Sequence, residues 1–142
     1  MVLLDVNVLV YAHRRDAERH AEFLGWLENL TGGAGAFALA PLVLSGFLRV
    51  VTHPRVFTHP TPLAKAFDFV SSLLERPSCV TIEPGPRHWS IFSDLCRRTA
   101  AKGNQIPDAY LAALAIESGS EWLTADRDFA RYPGLRWRHP LD

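Results

Sequence analysis

Net charge of either sign is missing from this chain: fifteen Lys and Arg balance fifteen Asp and Glu over 142 residues. No global field announces a polyanionic partner, so any affinity for nucleic acid has to come from local clustering. Long apolar runs are missing as well. The longest falls well short of the ~20 residues needed to cross a bilayer, which excludes a helical membrane span. Cysteine is scarce, and Cys79 and Cys96 show neither CxxC nor Cys/His metal spacing. With no cleavable signal ahead of them, two buried, reduced thiols in a cytoplasmic protein are expected. Repeats and low-complexity tracts are absent too. What remains is a globular composition, 48% hydrophobic and 21% charged, at a length that suits a single domain over residues 1–142.

Periodicity predicts alternating strands and helices. Val2-Leu3-Leu4 is a short continuous apolar run, the pattern of a strand covered on both faces of a parallel sheet. Residues 16–30 place Ala17, Ala21, Leu24, Trp26 and Leu27 among charges at helical spacing, stopped by Thr31-Gly32-Gly33. Strand 37–39 is followed by a mostly apolar helix to residue 51, begun by Pro41 in its first turn and ended by His53-Pro54. Three prolines then predict an ordered loop to residue 62. Helices over 63–74, 87–101, 106–118 and 128–132, with strands over 80–82, 122–124 and 135–137, complete the pattern. The class is α/β, a three-layer α/β/α domain with a central, mainly parallel sheet.

Three aspartates fall at element boundaries where such a fold would bring them together. Asp5 ends the first strand, Asp108 follows Pro107 at a helix start, and Asp126 ends Leu123-Thr124-Ala125-Asp126. Carboxyl ends of parallel strands form the crevice in which ligands bind. Asp108 shares a helix face with Leu111, Ala112 and Ala115, so its carboxylate points inward, although a first-turn acid also offsets the helix dipole. Asp126 has a plain alternative as a turn former, and Asp128 as a helix N-cap. Asp5 is the hardest to explain blandly, because an acid directly after a buried strand is costly to desolvate without a cation or donors. Clustered carboxylates repel unless a cation neutralises them, and Mg²⁺, with its taste for hard oxygen ligands, suits such a cluster. Metal-assisted phosphodiester hydrolysis is the reaction such a site performs.

Asp5-Val6-Asn7-Val8-Leu9, Ile106-Pro107-Asp108-Ala109-Tyr110-Leu111-Ala112-Ala113 and Leu123-Thr124-Ala125-Asp126-Arg127-Asp128-Phe129 resemble the three signature segments of PIN-domain ribonucleases. The VapC toxins of bacterial toxin–antitoxin pairs are the nearest match, and 44–54, Leu-Ser-Gly-Phe-Leu-Arg-Val-Val-Thr-His-Pro, resembles an actinobacterial-style subgroup. The resemblance covers essentially the whole chain. It implies that Asp5, Asp108 and Asp126 are catalytic, metal-holding acids, with Asn7 and Thr124 as supporting polar groups and Asp128 as an acid behind the ligands. It also implies a Mg²⁺-dependent endoribonuclease, with Mn²⁺ as a substitute, acting on RNA as a homodimer and neutralised by a VapB-like antitoxin.

One departure from the family stands out. PIN nucleases place a further acid on the helix that here spans 41–51, and this segment holds no Asp or Glu. The related subgroup carries it where Pro41 stands, and more distant members nearer Gly46; Ser45 or Asp128 could substitute. That gap supports an alternative, a catalytically impaired PIN-like protein that binds antitoxin or RNA without cutting. A Mg²⁺ phosphatase of unrelated fold would need a second acid two residues after Asp5, where Asn7 stands. His53, His59 and His139 precede prolines in loops and His88 starts a helix, so loop packing accounts for them better than metal binding. Trp26, Trp89, Trp122 and Trp137 are expected in the core or at an interface. Arg97, Arg98 and Lys102 form one basic cluster, and Arg127, Arg131, Arg136 and Arg138 another. Solvated faces explain both, the alternative being a phosphate-positioning rim.

Overall fold

A computed structural model describes residues 1–142. Five strands, β1 (Val2–Leu4), β2 (Phe37–Leu39), β3 (Cys79–Thr81), β4 (Glu121–Leu123) and β5 (Trp137–Arg138), form one parallel sheet in the order β3-β2-β1-β4-β5. Six helices connect them: α1 (Val6–His13), α2 (His20–Gly32), α3 (Pro41–Val51), α4 (Leu63–Leu74), α5 (His88–Thr99) and α6 (Gln105–Ser118). The α/β class and the parallel sheet expected from the sequence are what the chain forms.

The chain winds outward from β1 to β2 and β3, then returns to lay β4 on the other side of β1. Strand order therefore reverses between β1 and β4, the point at which the loops leaving neighbouring strands diverge and open a crevice. Helix packing follows this reversal. α1 packs on α2 and α3, and α3 on α4, while α5 packs on α6; right-handed crossovers put the two groups on opposite faces of the sheet. Leu3, Leu4, Phe37, Ala38, Leu39, Trp122 and Leu123 are wholly buried between them, in one continuous apolar cluster.

Two departures from the sequence reading have identifiable causes. The apolar run after Asp5 is α1, a helix the sequence reading left unassigned. Val8, Leu9, Val10 and Ala12 are all buried, so no polar face marks the helix. α2 begins at His20 and not near Asp16, because Asp16 is held by the Arg14 guanidinium at 2.6 and 2.9 Å and Arg19 is left-handed at φ 58°. Arg14, only 8% exposed, also donates to the His59 carbonyl and the Thr61 hydroxyl and lies 3.9 Å over the Phe57 ring. One side chain thus orders the proline-rich loop of residues 52–62 against α1. The remaining boundaries move by one or two residues. The thiols of Cys79 and Cys96 are free but only half-buried, and Trp89 is 70% exposed, outside the core. No helix is long and apolar enough to cross a membrane.

Phe47 marks how tightly the α3 face packs: it is fully buried, with its ring centroid 5.4 Å from His13 and 5.0 Å from Phe69. Phe47→Ala is expected to cost ~3–5 kcal/mol of folding stability by urea denaturation, and a loss below ~1 kcal/mol would mean that the face is loosely packed.

Candidate active site

Asp5 leaves the central strand directly at the strand-order reversal and caps α1. Its Oδ1 accepts the Val6 amide at 2.6 Å. Its Oδ2 accepts the Thr124 hydroxyl at 2.7 Å and, at 3.3 Å, the Asn7 side-chain amide. The residue is 6% exposed, and that burial lifts its carboxyl to about 6. The bonds from Thr124 and Val6 oppose the rise, and the charges of Asp108 and Asp126 add to it.

Thr124, at the exit of β4, joins the two strand ends. Its fully buried hydroxyl donates to Asp5, accepts from Asn7 Nδ2 at 3.3 Å and accepts the Asp126 amide at 3.0 Å. That uses the full hydrogen-bonding capacity of one hydroxyl. Asn7 adds a second tie, its Oδ1 accepting the Ala125 amide at 3.1 Å. Asp126 Oδ1 in turn accepts the Asp128 amide at 2.9 Å, starting the 3₁₀ turn Arg127–Arg131.

Asp108 arrives from the first turn of α6. Leu111, Ala112 and Ala115, expected on its face, are buried, but so are Ala109, Ala113 and Leu114, so α6 is apolar nearly all round. The Asp108 carboxylate is half-buried and accepts no hydrogen bond. Burial raises its carboxyl first, then the charge of Asp126, with Arg131 pulling the other way. Tyr132, which sequence reasoning passed over, fixes this approach: its hydroxyl donates to the Gln105 carbonyl at 2.9 Å. It thereby ties the start of α6 to the turn after β4. Burial and then the Asp108 charge push that phenol up to about 12. No local pattern marks the role, which depends on two elements meeting.

Asp5, Asn7, Asp108 and Asp126 line one cavity of about 440 Å³, whose other wall is apolar and includes Val6, Tyr11, Phe57 and Phe129. Arg49 of α3 also lines it, the one charged residue in that helix. Asp128 is not in this cavity; its carboxylate is 78% exposed and faces Arg131 at 3.9 Å. The structure also discriminates between the two positions for the further acid. Gly46 lines the cavity, whereas Pro41 is exposed and borders a different one, with Tyr110 and Leu114. Ser45 is exposed too. A Cβ on Gly46 would stand 2.9 Å from Val6 Cγ2, so Val6 fills the space that a side chain there would enter.

The donor chemistry fits a hard cation: three carboxylates, one of them without a protein donor, around a cavity large enough for an ion and its waters. No three His, Cys, Asp or Glu side chains stand close enough to enclose an ion by themselves. The fit is therefore to an ion such as Mg²⁺, which keeps several waters and takes one or two carboxylates.

The family model described as PIN domain matches residues 2–135. Over 142 residues the chain is 51% identical to Ribonuclease VapC43 of Mycobacterium tuberculosis, covering 100% of this chain and 97% of that relative. Against Ribonuclease VapC31 of the same organism the identity is 40% over 140 residues, covering 99% of each. Among solved structures, VapBC2 from Rickettsia felis bound to a promoter DNA fragment gives a TM-score of 0.72 at 18% identity over 98% of both chains. Mycobacterium tuberculosis VapC20, a sarcin-ricin loop cleaving toxin, gives 0.66 at 12% identity, over 96% of this chain and 99% of that one. These last two are likenesses of fold.

Asp5 ties stability to pH. Its carboxyl lies at about 6 when folded against 3.8 for the free group, so the folded state binds this proton more tightly than the unfolded state does. Protonation therefore favours folding, and the contribution is lost as pH rises from about 4 to about 6. The metal-free protein is expected to lose on the order of 3 kcal/mol from this group over that window. Carboxyl NMR of Asp5 checks the cause, and a midpoint near 4 would mean that the site is better solvated than its burial indicates.

Proposed function

The chain belongs to the PIN-domain family, in its VapC group, and from that premise we propose that it is the ribonuclease toxin of a toxin–antitoxin pair. In this reading residues 1–142 form a single PIN domain that acts on RNA in the cytoplasm as a homodimer. A VapB-like antitoxin silences it by covering the acidic crevice with a basic side chain among the carboxylates. The observation that carries the reading is the meeting of Asp5, Asp108 and Asp126 around one cavity at the strand-order reversal. The relatives named as ribonucleases span the whole of this chain at up to 51% identity. Among the structural neighbours are toxin–antitoxin assemblies.

The residues divide the labour. Asp5 and Asp126 offer carboxylate oxygens from the two strand ends, and Thr124 and Asn7 hold Asp5 in place at the cavity wall. Asp108, with no protein donor, is free to orient a water toward a phosphodiester. Asp5 and Asp126 would hold a Mg²⁺ or Mn²⁺ ion, which would supply Lewis-acid activation of a water and offset negative charge at the leaving oxygen. Asp128 steadies Asp126 through its backbone amide and leaves its own carboxylate outside.

A second reading, a protein that binds antitoxin or RNA without cleaving, is favoured by one observation: Gly46 and Val6 present an apolar wall near the position where more distant PIN nucleases carry an acid. The two readings separate in a cleavage assay with purified protein and RNA. Asp5→Asn or Asp108→Asn is expected to abolish cleavage and growth inhibition while the protein stays folded, and EDTA to stop the wild type. Thr124→Val or Asn7→Ala is expected to lower activity or metal affinity by about 10–100-fold, the usual effect of losing a group that orients a ligand. Wild-type protein that cuts no RNA in Mg²⁺ or Mn²⁺ would establish the non-cleaving reading.

Gly46 and Pro41 give a sharper test of the missing acid. Val6→Ala/Gly46→Glu is expected to lower the Mg²⁺ concentration for half-maximal cleavage, since it adds an oxygen ligand and makes room for it. Gly46→Glu alone is expected to cost ~1–3 kcal/mol of stability through the clash with Val6, and Pro41→Glu to leave the metal titration unchanged. A shift with Pro41→Glu and none with the double variant would place the start of α3 at the metal after all.

A further inference from the structure

Arg98 at the end of α5 and Arg127 and Arg131 in the turn after β4 are far apart in sequence and belong to separate basic clusters. The fold brings them into one open cavity of about 560 Å³, whose lining also includes Thr99 and Asp128. Three guanidinium groups converge here in a chain of zero net charge, each paired only with an exposed carboxylate, that of Asp94, Asp142 or Asp128. The cavity adjoins the acidic crevice through a shared turn: the Asp126 carboxylate accepts the Asp128 amide, and Tyr132, next to Arg131, bonds the Gln105 carbonyl at the start of the helix that carries Asp108. The guanidinium groups are available to an anion. Arg98 is only 3.6 Å from Asp94 in an exposed pair, and Arg131 is 3.9 Å from Asp128. Arg127 grips Asp142 with two bonds of 3.0 Å, also at the surface. Exposed pairs of this kind contribute ~0–1 kcal/mol, so a competing oxyanion displaces them readily. The fork that Arg127 turns to the Asp142 carboxylate is the geometry that phosphate oxygens take.

We infer that the cavity of Arg98, Arg127 and Arg131 is a phosphate-binding subsite that holds the backbone of single-stranded RNA beside the acidic crevice. The inference rests on the ribonuclease reading for its ligand class, and it deepens that reading by giving the strand a path. An acidic crevice repels the polyanion it must cut. Binding on adjacent phosphates supplies the attraction that the carboxylates cannot, and it is independent of base identity. Arg136 lies outside this subsite, with its guanidinium on the Gly119 carbonyl ahead of β4, at the entry end of the strands and away from the crevice at their exits.

The test measures binding of a fluorescein-labelled, unstructured, mixed-sequence RNA oligonucleotide to full-length protein in the Asp108→Asn background, across a salt series. Cleavage by the wild type in Mg²⁺ is followed in parallel. Arg98→Ala and Arg131→Ala are each expected to reduce the slope of log affinity against log salt by about 0.7, and together to weaken binding about tenfold at moderate salt. Arg136→Ala is expected to leave both unchanged. Equal effects at all three positions, or none at Arg98 and Arg131, would overturn the subsite. So would displacement of the RNA by an acidic peptide at lower concentration than by unlabelled RNA, which would reassign the cavity to a protein partner. Wild-type protein that binds RNA through Arg98 and Arg131 yet never cuts it would support the subsite and overturn the nuclease reading. Wild-type protein that cuts while these variants bind normally would do the reverse.

Discussion

The buried carboxylate of Asp5 is the constraint to which the rest of the structure answers. An acid almost fully removed from water at the end of the central strand needs donors. The chain supplies three, from the Val6 amide, the Thr124 hydroxyl and the Asn7 side chain. Two of these also bond the loop that follows β4, so satisfying one carboxylate fixes two strand exits against each other. Desolvation still exceeds what the donors return, and the carboxyl remains raised. A site built this way is strained electrostatically and rigid mechanically, the combination that favours a cation arriving with its waters.

Charge in this protein is balanced globally and segregated locally. Asp5, Asp108 and Asp126 share one cavity, and Arg98, Arg127 and Arg131 another beside it. The segregation comes from the sheet's topology. β4 returns to the far side of β1 after the chain has travelled out to β3, so the turn after β4, which carries Asp126, Arg127, Asp128 and Arg131, lies between the β1 exit and the end of α5. Asp126 at its start faces the acidic cavity and Arg127, Asp128 and Arg131 line the other, and a net charge of zero hides this division.

Much of the fold was legible because its elements obey simple periodicities. α4 matched its expected bounds, and the strands fell within two residues of theirs, since short β-branched or apolar runs between turn residues have few alternatives. α1 was not legible. Buried on almost every side, it lacks the polar stripe by which a helix announces itself, and only the cap at Asp5 separates it from β1. The start of α2 was misplaced because a long-range constraint, Arg14 holding both Asp16 and the loop at Thr61, overrides helical preference.

The sequence by itself determined the chemistry on offer: three acids at the ends of elements, polar partners at positions 7 and 124, two basic clusters and an apolar helix lacking an acid. Residue type and spacing settle those points because they depend on what each local segment can form. Which groups meet was decided only by the tertiary structure. It placed Gly46, and not Pro41, at the cavity, turned the Asp128 carboxylate outward, brought Tyr132 onto the start of α6, and joined Arg98 to Arg127 and Arg131. Each of these depends on how segments meet at the exit ends of the central strands, and no period within a single segment encodes it.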